Sequence, residues 1–189
     1  MLCVGICTAL TTGVAVAADI NEKPLSGPAL HRLVVAPPAP FAPLPDSVLK
    51  TGLMEFGNPK SGKIGTVVST QRLKKAKFQR GWESVFRSPD GAAVYVDVFE
   101  FATVAGAKSL VQEVERHIPS TYSRVSLGGL PSVFASQGTS PQGNAVTAAV
   151  FSLGRFFVFQ VVGGPPTAHD YRGLSTNLAA QQLGVLPAT

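Results

Sequence analysis

The segment that decides the fold is residues 78–101, FQRGWESVFRSPDGAAVYVDVFEF. In its second half, valines alternate with larger side chains, and this period of two predicts a strand over residues 92–101. Residues 78–88 predict a second strand, and the intervening Pro89-Asp90-Gly91 is a strong turn signal. We therefore expect the two strands to form a hairpin.

Helices are predicted on the C-terminal side of this hairpin and at the end of the chain. Thr103 can cap a helix whose apolar residues recur at helical spacing as far as Pro119. Thr167 and Asp170 have the spacing of a capping box in front of the last helix. The residues of that helix expected to face inward are Tyr171, Leu174, Leu178 and Leu183. A short helix is also expected over residues 69–77, with its lysines on the side away from Leu73 and Ala76.

Three more strands are predicted at residues 132–136, 144–153 and 155–162, the last two joined at Gly154. The sequence RFFVF at residues 155–159 is apolar on both faces, which places its strand at the centre of the sheet. Residues 120–131 are expected to form a loop.

The composition and element order predict one α+β domain over residues 46–189. Hydrophobic residues make up 45% of the chain and charged residues 14%, which is typical of a globular protein with a substantial core. Strand, strand and helix follow each other twice. We expect one antiparallel sheet with two amphipathic helices on one face, and the repeat suggests a duplicated β-β-α unit.

The N-terminal region indicates export. Residues 1–18 contain no charged side chain and end in the small residues VAVAA, which suit signal peptidase. We expect cleavage near Ala17 or Ala18 and no membrane span after it, with an uncleaved anchor as the alternative. Both cysteines lie in this leader, and Ile6 before Cys7 argues against lipid attachment there. Residues 19–45 contain seven prolines and are expected to form an extended tether.

No motif predicts a catalytic, cofactor or metal site. Residues 57–63, GNPKSGK, match the start of a phosphate-binding loop, but Ile64 stands where the motif needs Ser or Thr. His31, His117 and His169 do not have metal-ligand spacing. Asp97 and Glu100 lie three residues apart on one strand and so on opposite faces. Asp97 shares its face with aromatic residues, so it is expected near an edge or with a partner.

A basic segment is the one regional anomaly of charge. Between residues 60 and 87 the chain has eight basic residues and one acidic residue, Glu83. This pattern indicates either a solvated face or an anion-binding surface. The residues expected to bind an anion or a partner are Arg72, Lys74, Lys75, Lys77 and Arg80. The candidate partners are an envelope protein, a wall polymer or a lipid surface, and nucleic acid is not expected outside the cell.

Several short motifs resemble a pattern in uncharacterised exported proteins and lipoproteins of actinobacteria. They are FQRGW from residue 78, SPDG from residue 88, FEF from residue 99, AGA from residue 105 and GRF from residue 154. The resemblance spans about residues 78–183 and implies no activity, cofactor or catalytic residue.

Together these features predict a noncatalytic exported protein of the cell envelope that binds a partner or an anionic surface. The alternative is a small ligand-binding sensor or hydrolase whose site is assembled from scattered residues of the sheet. A pocket with apolar walls and a few polar groups would favour ligand binding, whereas a flat basic face would favour the first function.

Overall fold

The computed structural model describes residues 23–45, 52–56 and 69–188. Its strands are β1 (Ala42–Pro43), β2 (Gly52–Met54), β3 (Phe78–Arg87), β4 (Ala93–Phe101), β5 (Tyr122–Val125), β6 (Phe134–Thr139), β7 (Ala145–Leu153) and β8 (Phe156–Gly164). Its helices are α1 (Gly27–His31), α2 (Thr70–Lys75), α3 (Val104–Arg116) and α4 (Tyr171–Val185). The predicted leader, residues 1–18, and the glycine-rich loop at residues 57–63 lie outside the described residues.

All these strands join one antiparallel sheet in the order β1-β3-β4-β8-β7-β6-β5, with β2 also paired to β3. The predicted hairpin is present, and its register sets Phe86 opposite Val94. Its turn needs a residue with a positive φ, and Gly91 supplies it at 89°. The strand that is apolar on both faces, β8, lies between β4 and β7 at the centre of the sheet. The predicted α+β class and antiparallel sheet are therefore confirmed.

The two long helices pack on opposite faces of this sheet. α4 covers the face that carries Val96 and Val158, whereas α3 covers the face that carries Phe99 and Phe157. The structure thus differs from the expected arrangement with both helices on one face. The physical reason is that β4 and β8 carry large apolar side chains on both sides, so each side needs a covering layer. The helices of the two halves consequently do not occupy equivalent positions.

Three local features differ from the sequence prediction. The segment expected to be a loop contains β5, which pairs with β6. The last helix is capped by Asp170 alone, whose Oδ1 accepts the Gly173 N–H at 2.9 Å. Strand β6 begins at Phe134, two residues later than predicted, and continues to Thr139.

Residues 25–44 pack against the domain, in contrast to the predicted tether. Leu30 is fully buried in the core on the α4 side. The Val35 N–H donates to Gln182 Oε1 of α4 at 3.0 Å. The prolines are compatible with this packing because Pro28 lies in the first turn of α1 and Pro43 lies in the edge strand β1. At neither position does the secondary structure require the backbone N–H that proline lacks.

A buried ion pair holds the start of this segment. Glu100 of β4 is fully buried, and its Oε1 lies 2.7 Å from a guanidinium nitrogen of Arg155. Its Oε2 accepts the Leu25 N–H at 2.8 Å. Because an uncompensated buried carboxylate costs several kcal/mol, this arrangement ties the N-terminal segment to the centre of the sheet.

The contact between α2 and α3 depends on a glycine. Gly106, in the first turn of α3, lies directly against the backbone of Ala76, the C-cap of α2. A Cβ atom at this position would overlap the Ala76 carbonyl oxygen. A backbone oxygen cannot move aside as the end of a flexible side chain can, so only glycine allows this approach.

Substitution of this glycine should therefore destabilise the domain. We expect Gly106→Ala to lower the free energy of unfolding by about 2 kcal/mol, a typical cost of overpacking. Gly184→Ala is the matched control, because it makes the same change in α4 where a Cβ atom meets nothing within 4 Å. The control should be neutral or stabilising by about 0.5–1 kcal/mol. Urea unfolding of both variants measures the difference, and equal stabilities would contradict the contact.

Candidate functional site

A pocket lies between the C-terminal end of α3 and the sheet. Its volume is about 310 Å³. The lining comes from the end of α3 and the turn after it, and from strands β5 to β8. The lining residues are Val114, His117, Ile118, Pro119, Tyr122, Phe134, Ser136, Val146, Ala148, Ala149, Val150, Phe159 and Val161.

The pocket exists because α3 covers only part of its face of the sheet. The helix ends at Arg116, and Pro119 prevents its continuation. Beyond that end, Phe159 and Val161 of β8 remain half-buried. The neighbouring Ala148 of β7 is small, so the surface beside these side chains is recessed. The walls are therefore mainly apolar.

Few polar groups reach the pocket. They belong to His117 at the end of α3, Tyr122 of β5 and Ser136 of β6. The imidazole of His117 is held in place, since its Nδ1 lies 2.9 Å from Glu113 Oε1 and 2.8 Å from the Glu113 carbonyl oxygen. Within the described structure, Ser136 and His117 form no hydrogen bond with each other, and the recorded partner of the imidazole is Glu113 of its own helix.

Sequence reasoning missed this pocket for two reasons. Tyr122 belongs to β5, which was expected to be a loop. The other lining residues are scattered over four elements and become neighbours through strand register, which sets Ser136 opposite Ala148 and Ala148 opposite Val161. Alternation of side chains in residues 144–162 was the available signal that these residues share a face.

The structure brings together four of the five predicted anion-binding residues. Arg72, Lys74 and Lys75 are exposed on α2, and Lys77 is exposed just after it. Arg72 forms an ion pair with Glu113 of α3. The Lys74 ammonium lies 5.7 Å from the centre of the Phe56 ring. We call Arg72, Lys74, Lys75 and Lys77 the α2 basic cluster.

Arg80, the fifth predicted residue, is separate from the α2 basic cluster. It is half-buried on the opposite face of the sheet, the α4 side, where its register partner is Glu100. Its guanidinium donates to the Leu25 carbonyl oxygen at 2.8 Å and lies 3.4 Å from Glu55 Oε1. These contacts hold the N-terminal segment and the end of β2 against β3, so the role of Arg80 is structural.

Two carboxylates meet on the α3 side of the first hairpin. The register pairs Glu83 of β3 with Asp97 of β4, and both side chains are half-buried. Burial, together with the charge of Glu83, raises the pKa of Asp97 well above its ordinary value. Burial also raises the pKa of Glu83. Asp97 thus lies on an inner strand, and no cation among the described residues pairs with it. The sequence analysis considered Asp97 only together with Glu100 of the same strand, and so it missed Glu83 on the paired strand.

The remaining histidines have local partners. His31 stacks on Trp82 with 4.5 Å between ring centres. His169 Nε2 lies 2.8 Å from Asp90 Oδ2 beside the hairpin turn. Within residues 23–45, 52–56 and 69–188, no group of three or more His, Cys, Asp or Glu side chains could hold a metal ion.

Comparison with known proteins identifies a structural neighbour. No family model matches the sequence, and no curated protein matches it. The crystal structure of the extracellular domain of PknH from Mycobacterium tuberculosis superposes with a TM-score of 0.55 at 10% sequence identity. The match covers 86% of this chain and 98% of that domain. At this identity the likeness shows a shared fold. None of the helices described here is long and apolar enough to cross a membrane.

The Glu83–Asp97 pair makes stability depend on pH. Because the folded state raises the pKa of Asp97, the folded protein binds more protons than the unfolded chain above about pH 4, and stability falls as the pH rises. Asp97→Asn, which keeps the shape without the charge, should increase the free energy of unfolding at pH 7 and flatten its decrease between pH 4 and 7. Urea unfolding across this pH range tests it. An Asp97→Asn variant less stable than the parent at pH 7 would contradict the assignment.

Proposed function

We propose that this protein is a noncatalytic exported domain that binds a small apolar or amphiphilic ligand in the pocket beside α3. The observation that carries the proposal is the pocket itself, with apolar walls on four strands and a helix and with few polar groups. That composition is typical of ligand sites in proteins. The leader-like N-terminal sequence and the fold shared with an extracellular domain support export.

The size of the pocket limits the ligand. A volume of about 310 Å³ is near the lower end of the roughly 300–1,000 Å³ found for small-molecule sites. A compact molecule or one linear chain would fit this space. The binding free energy would come mainly from removing apolar surface from water.

A variant that fills the pocket tests the proposal. Decan-1-ol is a suitable neutral probe, and Ala148→Phe places a large ring among the lining residues. Ala180→Phe is the matched control, since Ala180 is exposed on α4 on the opposite side of the sheet. Calorimetry should show decan-1-ol binding to the parent and the control, with at least a tenfold loss of affinity in Ala148→Phe.

Melting curves establish that both variants remain folded. No binding to the parent protein, or equal affinity in Ala148→Phe, would overturn the proposed ligand site.

A second candidate function is binding to an anionic surface through the α2 basic cluster. Lys74, Lys75 and Lys77 are all exposed next to one another along the chain, and this observation favours the function. The surface could be offered by acidic lipid, by a wall polymer or by an acidic envelope protein. Arg72 would contribute less, because Glu113 already neutralises it.

Charge reversal separates this function from a merely solvated face. Lys74→Glu with Lys75→Glu should reduce binding to vesicles that contain acidic lipid, since each lysine near such a surface contributes about 1 kcal/mol. Parent binding should also weaken sharply between 0.1 M and 1 M salt, where the Debye length shrinks from about 10 Å to about 3 Å.

Arg32→Glu with Lys108→Glu is the matched control, because it changes the net charge equally at exposed positions outside the cluster. Co-sedimentation measures vesicle binding by the parent protein, the cluster variant and the control variant. Binding that survives the first double reversal, or falls equally in the control, would contradict a role for the cluster.

A further inference from the structure

An arginine stands beside the pocket on its polar side. Arg124 of β5 is the register partner of Ser136, and partners in an antiparallel pair project from the same face of the sheet. Its guanidinium carbon lies 4.9 Å from the centre of the Phe134 ring. Ser136 and Phe134 both line the pocket, as does Tyr122, two residues before Arg124 on the same strand. An exposed cation therefore lies beside the pocket at its β5 side.

The charge of this arginine is not neutralised by the described protein. Within the described residues no carboxylate forms an ion pair with Arg124, whose guanidinium packs over the Phe134 ring. The acidic group on the C-terminal part of α3 is Glu113. It lies near two cations, Arg72 and Arg116 at 3.8 Å, and 2.9 Å from the imidazole of His117. The unpaired charge of Arg124 thus favours an anion at the β5 side of the pocket, away from Asp97, the β4 register partner of Phe159.

We propose that the ligand is a linear alkyl chain with a single carboxylate, that is, a fatty acid of medium length. This proposal rests on the proposed function of the pocket and names its ligand class. The alkyl chain would lie along the apolar strands, and the carboxylate would pair with Arg124. A guanidinium binds a carboxylate through two parallel hydrogen bonds, which gives it an advantage over a point charge. The hydroxyl groups of Tyr122 and Ser136 are further donors on the same side.

The volume sets the chain length. A methylene group occupies about as much space as a water molecule, roughly 30 Å³, so the pocket holds on the order of ten carbon atoms. Decanoate is therefore the matched probe. Decan-1-ol has the same chain with a neutral head, and decyltrimethylammonium has the same chain with a cationic head.

Calorimetric titration of the folded protein with these three probes tests the ligand class. Decanoate should bind about tenfold more tightly than decan-1-ol, because a hydrogen bond to a charged group adds roughly one factor of ten in affinity. Decyltrimethylammonium should bind least well. Arg124→Gln should reduce decanoate affinity to that of decan-1-ol and leave decan-1-ol binding unchanged. Arg32→Gln is the control, since it removes an exposed arginine at the C-cap of α1 and should change neither affinity.

The outcomes distinguish the two proposals. If decan-1-ol binds as tightly as decanoate, or if Arg124→Gln leaves decanoate binding intact, the carboxylate assignment is wrong while the apolar site remains. If none of the three probes binds the parent protein, the proposed function fails and this inference fails with it. A loss of decan-1-ol binding in Arg124→Gln would show that the arginine shapes the pocket instead of holding a head group, and would also overturn the assignment.

Discussion

The structure depends on one constraint, which is that the central strand pair β4 and β8 is apolar on both faces. Phe156 and Val158 are fully buried on one side, and Phe157 is almost fully buried on the other. A sheet with two apolar faces must be covered twice, since exposing either face would leave large aromatic side chains in water. The placement of α3 and α4 on opposite sides follows from this requirement.

The same constraint explains why the proline-rich segment belongs to the fold. On this face α4 contacts β7 and β8, so the part formed by β3 and β4 needs another cover. Leu30, Val34 and Phe41 supply it from between the prolines. Prolines forbid a long helix or a central strand, but they do not forbid an extended segment from packing its apolar side chains. The prediction of a tether was based on the prolines and left out the apolar residues between them, which pack on the sheet.

Local patterns in the sequence predicted the elements well, because a helix or a strand is set by neighbours in the chain. The hairpin turn at Gly91, the cap at Thr103 and the central position of β8 were all within reach of periodicity and turn chemistry. To predict the pairing of Glu83 with Asp97, the strand register must also be known. To predict the pocket, the positions of four strands and of one helix end must be known. Such non-local relations are set by packing, for which a single sequence carries no direct signal.

The difference between the two coverings creates the candidate site. On one face, α4 is joined by residues 25–44, and the covering is extensive. On the other face, α3 is helped only by the short α2 within the described structure, and α3 stops at Arg116. The end of α3 therefore leaves part of an apolar face without a helical cover. Binding of an apolar ligand there is favourable, because it removes this surface from water. Because the α2 basic cluster and Arg124 lie on this same side, both proposed functions use the less covered face of the sheet.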